Sequence, residues 1–235
     1  MNAETVMQEL EALGKERTKK MYMSNGAHEP LFGVATGAMK PIAKKIGINQ
    51  ALAEDLYATG NYDAMYFAGI IADPKAMTAA DFDRWMDSAY FYMLSDYVVA
   101  VTLAETAIAQ EVADKWIASG EELRMSAGWS CYCWLLGNRA DIEFSESKIA
   151  GMLDVVKNTI HDSPERTKSA MNNFLYTVGF SFLPLHEKAI ETAKAVGPVE
   201  IKRDKKKSSL LNAYESIQKE VDRGKIGFKR KYVRC

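Results

Sequence analysis

The chain has 235 residues, 48% hydrophobic and 26% charged, the proportions of a globular protein and not of a disordered or fibrous one. No run approaches the roughly 18 uninterrupted apolar residues of a membrane helix, and the opening MNAETVMQELEALG lacks the basic flank and apolar core of a secretion signal. A net charge of −1 hides an asymmetry: residues 200–235 carry twelve Lys or Arg against five Asp or Glu, so the first 199 residues balance at −8. Such a division suggests a basic face for a polyanion on an acidic body.

The predicted elements are almost all helical. Ala3 to Met23 places Val6, Leu10, Leu13 and Met21 near one face. Gly26 to Gly37 is a loop, and Thr36 caps a helix whose stripe is Met39, Ile42, Ala43 and Ile46, stopped by Gly47. Gln50 to Thr59 ends at Gly60, Tyr62 to Ala72 is closed by Asp73-Pro74, and Thr78 starts a helix with early acids Asp81 and Asp83. Ser95 to Ala109, Glu111 to Ser119 and Glu121 to Leu136 continue the series. Ser145, Pro164 and Pro184 open further helices, and Ser208 or Ser209 opens the last.

Between them lies one segment of different character. Val196 to Lys202 alternates apolar and polar residues after a Gly-Pro break, a short strand pattern that feeds into Arg203-Asp204-Lys205-Lys206-Lys207. A β-hairpin near 199–207 would carry these basic residues away from the helical body. The organisation expected is one all-α repeat domain over 1–222, built of stacked helix pairs, with a flexible basic tail over 223–235. Compact residues such as Gly69, Gly128 and Ala170, set among large ones, would let neighbouring helix backbones approach.

The residues exclude several chemistries. The glycines have neither Rossmann nor P-loop spacing, and His28, His161 and His186 are scattered singly. Cys131, Cys133 and Cys235 make no disulfide framework or zinc-ligand set, which points to a reducing, cytoplasmic setting without metal or cofactor. Trp85, Trp116, Trp129 and Trp134 read as core. The concentrated signal is Lys202, Arg203, Lys205, Lys206 and Lys207, a cluster suited to phosphate neutralisation and counterion release. It reads no bases, so any selectivity would come from nucleic-acid shape.

Three stretches in order, HEPLFGV at 28–34, IIADP at 70–74 and RTKSAMNNFLYTVG at 166–179, resemble the DNA alkylation repair (AlkD-like) family of HEAT-like repeat proteins. The resemblance runs from about Thr18 to Ile217. It implies an α-helical solenoid whose concave face holds duplex DNA, and, in catalytic members, aromatic residues with an aspartate in a Trp-Asp-x-x-Asp-like run. The corresponding stretch here is Leu94 to Val101. Asp96 stands near the first acid and is the one catalytic candidate, while the expected tryptophan and second acid fall on Ser95 and on Val98 or Val99. A valine cannot stabilise a developing oxocarbenium ion.

The same resemblance suggests Arg166, Lys168 and Asn172, at the start of the 166–179 helix, and Arg124 as DNA contacts. There the side chains and free backbone N–H groups could face phosphate. The reading is a DNA-binding protein, for duplex, distorted or branched DNA, without efficient alkylpurine excision. An active glycosylase using Asp96 and a protein-interaction scaffold are the alternatives.

Overall fold

The computed structural model describes residues 1–203 and 206–234; Asp204, Lys205 and Cys235 lie outside the described residues. Among the described residues the architecture is all-α apart from one two-stranded antiparallel sheet, and no helix is long and apolar enough to cross a membrane. Two compact units divide the chain: residues 1–106 joined by Arg234, and Ala107–Val233.

The first unit contains α1 (Ala3–Leu13), α2 (Glu16–Ser24), α3 (Thr36–Ile46), α4 (Gln50–Tyr57), α5 (Tyr62–Ile71) and α6 (Ala79–Ser88). A further helical run follows, made of α7 (Tyr92–Leu94), a π-helical stretch (Ser95–Val99) and α8 (Ala100–Leu103). The expected first helix is therefore two. Gly14 takes ψ 143°, outside the helical range, and a Cβ there would lie 2.6 Å from the Phe32 carbonyl oxygen. Val6 and Leu10 are buried as expected, whereas Met21 is exposed because the break rotates its face away. Thr36 is the first helical residue and not the cap, while Thr78 makes a full capping box with Asp81.

The loop between α2 and α3 is held by one carboxylate. Asp63, in the first turn of α5 and fully buried, accepts the backbone N–H groups of Phe32, Gly33 and Val34 at 2.6, 2.9 and 2.8 Å. Gly33 sits at φ 83°, and a Cβ there would meet the Lys19 backbone nitrogen at 2.6 Å, so only glycine fits this approach. Burial pushes the Asp63 carboxyl above the usual range, against the pull of the N–H donors.

The second unit contains α9 (Ala109–Ile117), α10 (Glu122–Leu136), α11 (Glu146–Thr159), α12 (Glu165–Ser181) and α13 (His186–Val196). Strands β1 (Val199–Arg203) and β2 (Lys206–Leu211) and helix α14 (Ala213–Asp222) complete it. Helices α9 and α10 approach where the sequence is small: a Cβ on Gly128 would be 2.7 Å from the Ala113 carbonyl oxygen. Gly179 does the same for α12, with a hypothetical Cβ 2.5 Å from Ile217 on α14. Trp116 and Trp129 are buried here, as is Trp85 in the first unit; Trp134 is half-buried beneath Arg230 at 5.0 Å. Cys131 is buried and its thiol pushed up by desolvation.

Two further expectations change. Ser208 and Ser209 belong to β2, and the last helix starts after Asn212, whose side chain caps the Glu215 N–H. The segment after α14 is bonded where a flexible tail is expected. Lys229 Nζ donates to the Leu136 carbonyl at 2.6 Å and pairs with Asp141 at 2.7 Å, while the Arg230 N–H reaches the Gly137 carbonyl at 2.7 Å. Basic residues at the end of α10 satisfy its last carbonyls, the complement a helix C-terminus favours. In the first unit Arg234 acts similarly. It donates to the Gly69 and Ala72 carbonyls at the end of α5, at 2.7 and 3.0 Å, and makes a bidentate pair with Glu105 at 3.0 and 2.9 Å.

Candidate nucleic-acid interface

The hairpin carries the basic cluster of the candidate interface. Along β1 the pleat puts Val199 and Ile201 in the core and Glu200 and Lys202 in solvent. Pairing runs Val199 with Leu211, Glu200 with Leu210 and Ile201 with Ser209, then shifts register so that Arg203 pairs with Lys206. Lys202, Arg203, Lys206 and Lys207 therefore all lie on the paired strands, and Lys205 lies outside the described residues. Two contacts fix the base of this hairpin. His161, in the turn before α12, bonds through Nε2 to the Val196 carbonyl oxygen at 2.9 Å. Glu165, first residue of α12, accepts the Lys202 N–H at 2.6 Å on one oxygen and the Lys168 ammonium at 3.0 Å on the other. Burial opposes ionisation of Glu165, yet Lys168 and the Lys202 amide prevail and hold its carboxyl below the usual range.

The structure brings the remaining candidates to the same end of α10 and α12, but gives them protein partners. Lys168, with a side chain only 13% exposed, is held by Glu165. Arg124 Nε donates to Glu121 at 3.2 Å. The N–H of Arg166, expected to be free for phosphate, donates to Glu122 Oε1 at 2.8 Å, and Thr167 Oγ donates to the Glu122 carbonyl. A carboxylate thus already satisfies this helix start, as the dipole of α12 favours. Asn172, one turn further, is buried; its Oδ1 finds no hydrogen-bond partner among the described residues. Lys168 is thereby tied through Glu165 to the base of the hairpin, and Lys202 is exposed where Arg124, Arg166 and Lys168 are half-buried.

Asp96 belongs to the first unit and sits in the π-helical stretch, where the Ala100 N–H bonds to the Ser95 carbonyl five residues back. It is 2% exposed, and Ser95 Oγ donates to it at 2.8 Å. The valines beside it are packing residues: both are buried, and the Gly69 backbone presses on Val98, whose Cγ1 would be 2.6 Å from a Cβ at that position. An acid at Val98 would point into this contact.

An aromatic group in the same unit is not among the sequence-predicted site residues. Tyr22 meets Tyr62 edge-on at 4.9 Å, Tyr62 meets Phe91 at 5.2 Å, His28 stacks on Tyr90 at 3.7 Å, and Tyr92 meets Tyr97 at 6.3 Å. Burial pushes the Tyr22, Tyr62 and Tyr90 phenols up, so they remain neutral, and Tyr22 and Tyr90 donate to the Val34 and His28 carbonyls. The signal for it is the aromatic density of Tyr90-Phe91-Tyr92 with Tyr97, but the His28 partner of Tyr90 comes from a loop 62 residues away. Among the described residues no group of His, Cys, Asp and Glu could hold a metal ion.

Comparison with known proteins bears on this arrangement. The family model for "DNA alkylation repair enzyme" matches residues 6–217. An uncharacterized protein of Listeria innocua is 30% identical over 92% of this chain and 95% of its own length, and one of Listeria monocytogenes is 29% identical over 92% and 96%. A solved structure, described as "a new family of proteins related to the HEAT-like repeat DNA glycosylases with affinity for branched DNA structures", is 81% identical. It superposes with a TM-score of 0.97 over 100% of both chains. The all-α HEAT-like repeat fold and the extent of the family match agree, and the chain belongs to the DNA alkylation repair enzyme family.

Proposed function

We propose that this protein binds branched DNA by its backbone and shape, with the basic hairpin as the principal contact, and that it does not efficiently excise alkylated purines. The observation that carries this reading is the hairpin itself, anchored at its base by Glu165 and bearing Lys202, Arg203, Lys206 and Lys207 on paired strands. Arg203 and Lys206 are cross-strand partners. A two-stranded ribbon also suits a DNA groove or the opening at a strand junction. The affinity for branched DNA described for the 81% identical relative supports the same partner.

Absence of excision is supported by the burial of Asp96 and by the packing role of Val98. A carboxylate closed off by Ser95 and the core does not reach a sugar without local opening. The test is binding to a four-way junction and to linear duplex across a salt series. It compares wild type with a variant carrying serine at Lys202, Arg203, Lys205, Lys206 and Lys207. The slope of log affinity against log salt should fall by about 0.9 for every phosphate the variant no longer neutralises. An unchanged slope would remove the hairpin from the interface. Release of an alkylated base that disappears in Asp96→Asn would overturn the second part of the reading.

A further inference from the structure

Helix α12 carries a second group of side chains in line with the hairpin anchor. Glu165 holds the base of the hairpin at one end of this helix. Tyr176 lies eleven residues further, about 16 Å along the axis and only about 20° around it, so the two share one stripe. Phe180 follows one turn later, and Asn173, on the same stripe, is exposed. The rings of Tyr176 and Phe180 stack at 5.5 Å with planes 12° apart, and Phe228 extends the column at 5.9 Å and 30°. A fixed turn brings Phe228 there. The Gly227 N–H donates to the Phe180 carbonyl at 2.8 Å, and Gly227 takes φ 80° with Leu183 3.1 Å from where a Cβ would lie. Phe228 ends the column and is 51% exposed.

A cation stands beside these rings. Exposed Arg230 lies over the Trp134 ring at 5.0 Å. Its backbone is tied independently of its side chain: the N–H donates to the Gly137 carbonyl at 2.7 Å, and the carbonyl accepts Asn138 Nδ2 at 2.8 Å. Burial pushes the Tyr176 phenol up, with Glu220 adding to the shift and Arg230 and Arg223 opposing it, so all three charges lie within electrostatic reach of that ring. Arg223 is paired with Glu220 at 3.0 Å and Lys229 with Asp141 at 2.7 Å, whereas among the described residues Arg230 pairs with no carboxylate.

We infer that the ring column takes an unpaired nucleotide of the DNA whose duplex the hairpin holds, its base stacked on Phe228 and its phosphate against Arg230. This rests on the DNA-binding reading and narrows it to branches that carry a single-stranded arm. One unpaired nucleotide supplies both partners, a flat face and an anion. A paired base has its faces covered by its neighbours and shows only its edges, so duplex does not engage the column. Stacking on an aromatic ring is tolerant of sequence, as suits a surface that reads shape. From the Glu165 anchor to the column is about 16 to 22 Å along α12, the length of about five or six base pairs.

The experiment is fluorescence anisotropy of the full chain with a labelled oligothymidine, a blunt-ended duplex and a fork bearing one oligothymidine arm. Wild type should bind the oligothymidine and prefer the fork to the duplex. Phe228→Ala should weaken oligothymidine binding by about tenfold or more, with duplex binding and the thermal midpoint unchanged. Phe228→Trp should keep the binding, and Phe228→Leu, apolar but without a ring face, should lose it. Arg230→Gln should lower the salt slope on oligothymidine by about 0.7, one phosphate on a single strand. No oligothymidine binding by wild type, or binding kept in Phe228→Leu, would overturn the inference, as would equal losses on oligothymidine and duplex. Tighter binding of an uncharged phenylalanine-bearing peptide, lost in Phe228→Ala, would overturn it in favour of a protein partner. The five-serine hairpin variant, run alongside, keeps the two readings apart: failure of the hairpin shows on the duplex and failure of the column on the oligothymidine.

Discussion

Replacing Asp63 tests whether one carboxylate organises the N-terminal loop. Its three N–H bonds, at 2.6, 2.9 and 2.8 Å, hold Phe32, Gly33 and Val34 in a turn that contains a left-handed Gly33. Hydrogen bonds to a charged group are each worth about 1.5–3 kcal/mol, and their loss leaves buried donors unsatisfied. Against this, removing a buried carboxylate also removes its desolvation, which here is large enough to raise its pKa. Asp63→Ala should therefore cost about 3–5 kcal/mol. Asp63→Asn keeps one acceptor oxygen but turns an amide N–H toward a backbone N–H, and should cost about 2 kcal/mol. Urea unfolding followed by far-UV circular dichroism gives the stability, and amide exchange at residues 32–34 gives the location. Those amides should exchange about a thousandfold faster in the alanine variant, from about 1.4 kcal/mol per decade. The neighbouring Lys19–Glu29 pair, at 2.6 Å but exposed, is the control: Glu29→Gln should have little effect. A loss below about 1 kcal/mol in Asp63→Ala would refute the clamp, because it would fall within the range of unremarkable substitutions.

Two further outcomes are expected. The Thr78 cap and Arg84 hold the Asp81 carboxyl down to about 2, so its contribution to stability is full above the unfolded value and is lost as pH falls toward about 2. Asp81→Asn should flatten the acid limb of an unfolding curve measured from neutral pH down, and an unchanged limb would count against the capping box. Glu165→Ala should speed amide exchange at Lys202 and, on the proposed reading, weaken binding to a four-way junction, while Glu165→Gln, which can still accept that N–H, should keep most of both. Normal Lys202 exchange in the alanine variant would sink the anchoring role of Glu165 and leave DNA binding by the hairpin standing.

Local signals in the sequence are legible and long-range ones are not. The hairpin is visible in the alternation after Gly197-Pro198, the caps at Thr78 and Ser145 in their side chains, and the close helix approaches in Gly69 and Gly128. The break at Gly14 depends on the Phe32 carbonyl, which no local pattern announces. The π-helical turn around Asp96 lies where Val98 packs on Gly69, and the Asp63 clamp spans about 30 residues. The basic tail departs from expectation for a related reason: Lys229 finds its carbonyl 93 residues earlier, so a charge that looks available in the sequence is committed to a helix end. The Arg166 N–H is likewise taken by Glu122, which belongs to another helix.

Arg234 has a consequence for the order in which the molecule is made. The carbonyls it fills, on Gly69 and Ala72, and its partner Glu105 are separated from it by 165, 162 and 129 residues of chain. During synthesis the first unit can collapse around α1 to α8 long before residue 234 exists, but its closing contact must wait for nearly the whole second unit to be translated. Loop closure over such a span is entropically expensive, though the expense grows only slowly with length. A fragment ending at residue 106 would carry a helix end and a Glu105 without the arginine that closes them in the full chain, so cutting the gene there should yield a less stable unit than its compactness suggests.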